Sequence, residues 1–225
     1  AYINKRNRIF ADDKDVDSKD HLLNASLQTG LGKLTAYGYL LEVDKDTDNA
    51  LDTWGLRLSG KQQKVSYNLE FATQTQEDAG KEFDTSYYLL EASTMLSGLK
   101  LTAGYENLGS DDGQAAFTTP LATLHKFNGW ADQFLGTPGV GLADLYLGIG
   151  GKVAKGKWAV TFHDYSADES SSTIDDLGSE INALYATKIA GKYAAGIKYA
   201  MYSAGDSAAG KVDTDKLWAW IGASF

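Results

Sequence analysis

His21, His125 and His163 are the only imidazoles in a chain of 225 residues that has no cysteine. Any histidine base or imidazole ligand must therefore be one of these three, while thiolate metal sites, disulfides and a thiol nucleophile are excluded. None of the three stands in a G-x-S-x-G or H-E-x-x-H context. The run Asp44-Lys45-Asp46-Thr47-Asp48-Asn49 has the alternating carboxylates of a calcium loop. It lacks the glycine at the sixth position, however, and Gly55 stands where the bidentate Glu should be. No metal site, cofactor or catalytic residue is expected. His163 with a nearby serine admits a lipid-hydrolase reading by analogy with barrel-borne enzymes, against a hydrated histidine facing a polar interior.

The remaining ionisable residues fall into a pattern only once the elements carrying them are recognised. Leu217, Ala219, Ile221, Ala223 and Phe225 alternate with Lys216, Trp218, Trp220, Gly222 and Ser224, so one face is apolar and the other mixed. The same period of two recurs at 65–71, 99–106, 158–163 and 193–202. Weaker segments near 1–10, 21–30, 33–43, 51–60, 83–96, 140–153 and 178–189 bring the total to about twelve strands. Each is roughly as long as a tilted strand crossing a bilayer. Leu31-Gly32, Ser97-Gly98 and Ala190-Gly191 read as tight turns. The stretches 11–20, 44–50, 74–84, 167–177 and 204–215 read as long loops rich in Asp, Ser and Gly. Short turns alternating with long loops point to an all-β, antiparallel transmembrane barrel, one domain spanning 1–225 with a long inserted loop at 109–139. A soluble β-rich binding protein is the other architecture considered.

No apolar run is long enough for a membrane helix. The chain opens Ala1-Tyr2-Ile3 without Met, as a mature form or a piece of a longer chain would. A formal charge of −9 offers no net cationic face for nucleic acid.

With the apolar set turned to lipid, the lumen receives Arg6, Arg8, Arg57, Lys100, Lys152, Lys188, Lys198 and Lys216 together with Glu70, Glu91, Glu106, Asp144 and Glu180. These could set selectivity by focusing the field in a narrow aqueous path, or could pair across strands and satisfy the interior. Trp218, Trp220, Tyr146 and Tyr202 share that inward phase, where flat rings could stack on sugars or fill space. Tyr39, Trp54, Tyr105, Trp158 and Tyr193 are assigned to the interfacial girdles. In the long connection, Phe117, Leu121, Leu124, Phe127, Trp130 and Phe134 are too apolar for a solvated loop. Folded inward, it would present His125, Lys126, Asn128, Trp130 and Asp132 as a constriction. Packing over the rim is the alternative.

The terminal alternating strand ending in Phe225 resembles that of outer-membrane porins, and the resemblance implies that Phe225 is read by the barrel-assembly machinery. The segments Thr119-Pro120-Leu121-Ala122-Thr123-Leu124-His125-Lys126-Phe127-Asn128-Gly129-Trp130-Ala131-Asp132-Gln133-Phe134 and Gly141-Leu142-Ala143-Asp144-Leu145-Tyr146 resemble the alginate-export family of porin-like channels. Barrels of that family are longer, so this chain corresponds to the C-terminal part of such a barrel or to a smaller relative. Their lumen is strongly lined with arginine, whereas this chain has only Arg6, Arg8 and Arg57; alginate is not carried over as substrate. The resemblance implies a Gram-negative outer-membrane channel for small hydrophilic solutes or saccharides, in contact with membrane lipid and lipopolysaccharide. Acidic loops such as Asp12 to Asp20 could meet lipopolysaccharide phosphates through cations, or be solvated charge runs.

Overall fold

The computed structural model describes residues 1–7, 15–43, 49–123, 125, 127–190 and 192–223. Its strands are β1 (Tyr2–Arg6), β2 (Val16–Thr29), β3 (Gly32–Glu42), β4 (Asn49–Gln62), β5 (Val65–Asp78), β6 (Lys81–Leu96) and β7 (Leu99–Leu108). The long connection then carries a two-stranded ribbon, β8 (Ser110–Asp111) and β9 (Ala115–Ala116). The remainder are β10 (Leu142–Val153), β11 (Gly156–Ser166), β12 (Asp176–Ile189), β13 (Tyr193–Ser203) and β14 (Thr214–Ala223). Twelve of them form one antiparallel sheet in chain order, with β1 and β14 at its edges and β7 joined directly to β10. A 3₁₀ turn is formed at Ser207–Ala209.

The twelve strands expected from alternation are thus present, and several are longer than expected because pairing continues into polar sequence. Residues 74–84 were expected as a long loop. Instead β5 and β6 pair as far as Asp78↔Lys81 and turn through Ala79 and Gly80, both at positive φ. That is the two-residue hairpin geometry favoured by strand twist, stabilised by Thr75 donating to Asp84 at 2.7 Å. Likewise β2 starts at Val16, inside the expected 11–20 loop, because Asp20 is fixed by Arg6. The acidic run at 44–48 lies outside the described residues, as do Arg8, Leu124, Lys126, Gly191 and Phe225.

The two ends of the sheet differ. Residues 30–31, 63–64, 97–98 and 154–155 turn tightly at one, where β12 also passes to β13, here called the turn end. At the opposite, loop end β1 passes to β2, β3 to β4, β7 to β10, β11 to β12 and β13 to β14, and the tight turn at 79–80 lies there too. The faces differ as well. On one, Leu34, Leu56, Phe71, Leu145, Leu147, Ile149, Phe162, Ile181, Ile197 and Leu217 stand side by side, and all are exposed. Trp54, Trp158 and Tyr193 join them. Tyr39 does not: its register with Thr53 and Leu22 places it on the other face, stacked on Tyr37 at 5.1 Å. Residue type made it a girdle candidate; phase in the strand overrides type.

Candidate functional site

Register assigns every strand residue to one of two faces, because successive side chains alternate. Beginning at Arg57↔Glu70, the pairs Asn68↔Glu91, Asp144↔Glu106, Tyr146↔His163, His163↔Glu180 and Lys198↔Trp218 continue on the face opposite the apolar one. Lys100, Lys152, Lys188 and Trp220 share that phase. Arg6 reaches it through Asp20, with both guanidinium contacts at 2.6–2.7 Å.

Most of these groups are bound to one another. Glu70 accepts from Tyr37 at 2.7 Å and pairs with Arg57 at 3.5 Å. Glu91 accepts from Asn68 and from Tyr146, each at 2.8 Å. Asp144, 1% exposed, holds His163 Nδ1 at 3.0 Å through both oxygens, and the imidazole is flanked by Tyr146 and Tyr165. No serine bonds His163 among the described residues. Tyr37 and Tyr146 lie against Gly55 and Gly104 on neighbouring strands, where a Cβ would strike the rings.

The long connection is held against this face from β5 to β14. At its start, Thr118 N–H donates to Gln74 on β5 at 2.8 Å, and Phe117 stacks on Tyr87 of β6 at 5.2 Å. In its middle, Asn128 donates to Glu106 on β7 at 3.0 Å. The backbone N–H groups of Trp130 and Ala131 both donate to one oxygen of Glu180 on β12, at 2.5 and 2.9 Å. Gly129, at φ +85°, makes that approach possible, since a Cβ there would run into the Glu180 carboxylate and the Tyr165 hydroxyl. Further on, Asp132 binds Lys216 of β14 at 2.7 Å and His125 Nδ1 at 2.5 Å. His125 Nε2 in turn lies 2.6 Å from the Lys198 ammonium of β13. As the ammonium can only donate, Nε2 accepts and Nδ1–H donates to Asp132. Phe134 closes the segment against Tyr165 and Tyr202. Strands that far apart in the sheet can touch one short segment only if the sheet curves around it.

No protein-family model and no curated protein matches the sequence.

Of the residues expected at a constriction, His125, Asn128, Trp130 and Asp132 all meet the polar face. The apolar side chains divide. Phe117 and Phe134 are buried, while Leu121 and Phe127 are 49% and 45% exposed, contrary to the expectation that the whole set packs. The polar anchors Gln74, Gln133 and Tyr87 were not singled out from sequence. Gln74 stands in the polar stretch 74–84, where alternation is lost, and only strand pairing reveals its phase. Burial opposes ionisation of Asp132, but hydrogen bonds from Lys216 and His125 outweigh it and hold its carboxyl below the ordinary value. Lys211, donating to the Gln133 carbonyl at 2.5 Å and lying over Phe134, is lowered by burial. Chemically this is a polar face crossed by a segment fixed at many points. It offers positioned charges and aromatic rings.

Proposed function

We propose that this chain forms the wall of an outer-membrane channel for small hydrophilic solutes or saccharides, with the 109–141 connection acting as its constriction. One observation carries the reading: at mid-strand and toward the turn end the charged strand residues turn to the face that holds the connection, while the opposite face, charged only near the loop end at residues such as Asp52, Asp164 and Asp215, exposes a belt of large apolar side chains. Leu27, Leu147, Leu217 and Ile221 are 64%, 57%, 67% and 69% exposed. A belt of that extent in water would drive association, whereas in hydrocarbon it is the expected outer surface. An internal segment bonded to β5, β7, β12, β13 and β14 narrows whatever passes the polar face. The porin likeness of the terminal strand points the same way.

Purified protein reconstituted in planar bilayers tests the proposal. Stepwise ionic currents are expected. Silent bilayers containing correctly folded protein would overturn it, and a monodisperse protein in buffer without detergent would favour a soluble β-protein.

A further inference from the structure

The net charge of −9 conceals a sorting of charge along the strands. The segments 22–37, 56–69, 92–105, 145–163, 181–203 and 216–225 contain no Asp or Glu, so among the described residues every carboxylate side chain lies at mid-height or toward the loop end. The cations are distributed otherwise. Lys33, Lys61, Lys100, Lys152, Lys157 and Lys188 lie in the last residues of β3, β4, β7, β10, β11 and β12 at the turn end, and all are exposed.

Register turns all six to the polar face. Lys33 pairs with Ser59, Lys61 with Ser66, Lys100 with Gly150, Lys157 with Ala186 and Lys188 with Ala194. Lys152 and Lys157 stand directly opposite each other across β10 and β11. Like charges so placed destabilise a sheet unless something compensates them. No ion pair engages any of the six among the described residues, in contrast to Arg6, Arg57 and Lys216 deeper in.

We infer that the turn-end mouth is a binding site for small multivalent oxyanions, held by this lysine collar. The inference rests on the reading of the polar face as a water-filled passage, since only then do the six ammonium groups ring one aqueous opening. Rings of Lys or Arg are the usual means of drawing anions and phosphate into a pore, and low-dielectric walls focus their field. Lysine suits this task because its ammonium is a hydrated point charge on a flexible stem, able to adapt to anions of different shape. The acidic loop end repels the same ligand, so capture is one-sided. The net charge excluded a cationic face only on average over the chain.

Inorganic tripolyphosphate is a suitable probe, titrated calorimetrically into detergent-solubilised protein at low ionic strength. Saturable binding that weakens steeply with added salt is expected. Lys157→Glu should weaken it about tenfold or more. Lys81→Glu, the same charge change on an exposed residue at the loop end, should leave it within about twofold. Absence of saturable binding by the unaltered protein, or equal losses in the two variants, would overturn the site. In bilayers, tripolyphosphate should reduce the current when added at the turn-end side and not at the other; equal effects from both sides would overturn it. Binding in detergent without any current keeps the collar and removes the channel. Current without binding does the reverse.

Discussion

Removing the carboxylate of Glu180 leaves the backbone N–H groups of Trp130 and Ala131 without an acceptor at a place where the side chain is 1% exposed. Each buried donor so orphaned costs about 1–3 kcal/mol. Glu180→Leu should therefore free the middle of the connection while the sheet persists, and limited proteolysis within 119–131 should become much faster. Glu180→Gln keeps an oxygen acceptor and should lie between the variant and the parent. Gly129→Ala should act in the same direction through geometry instead. It imposes a Cβ at φ +85° and pushes it into Glu180 and Tyr165. Unchanged cleavage in both Glu180→Leu and Gly129→Ala would mean that the aromatic contacts of Phe117 and Phe134 suffice.

The connection as an element is fixed by contacts of two kinds, apolar ones at its ends and charged ones in its middle. Deleting residues 112–136 removes both, while the tight turns that set strand register are untouched. Larger single-channel conductance and entry of larger neutral sugars are expected. Unchanged conductance of the folded deletion would place the connection clear of the solute path. The charged part gives a narrower prediction. Because Lys216 and His125 hold the Asp132 carboxyl low, its contribution is complete above the ordinary carboxylate range, near pH ~4. It is lost as pH falls through the lower folded-state value. Protease sensitivity of the connection should rise only in acid, and Asp132→Asn should show the raised sensitivity already at neutral pH.

These elements were unequally legible in the sequence. Period-two patterning located β7, β11 and β13 because an apolar or aromatic residue recurs at every second position through the middle of each. It failed at 74–84, where Thr, Gln, Glu and Asp occupy both faces as the strands leave the apolar belt, so a strand looks like a loop. It also failed for Tyr39, whose ring type suggests a girdle and whose phase does not. Lys33, Lys61 and Lys157, like Lys100, Lys152 and Lys188, lie at the ends of strands, and it is the register with Ser59, Ser66 and Ala186 that fixes their phase.

For the whole molecule, the decisive physical question is which medium meets the apolar face, and a single substitution distinguishes the answers. Leu147, in the middle of β10, pairs with Ala103 and Phe162 within the belt and is 57% exposed. In a protein surrounded by water, Leu147→Arg would change an exposed position away from any cap, core or ion pair, and such surface changes usually stay within about 0.5 kcal/mol. At the middle of a bilayer the same change costs about 2–4 kcal/mol. Thr161→Arg is the matched control, since Thr161 stands on β11 facing Gly148 on the polar side. There an added guanidinium remains in water and should cost little. Urea titration of the protein folded into lipid vesicles, followed by tryptophan fluorescence, should show Leu147→Arg strongly destabilised and Thr161→Arg close to the parent. Equal stability of the two variants would mean that the belt does not face lipid. The proposed channel would then lose its outer wall, and the exposed leucines would have to be covered by another protein surface.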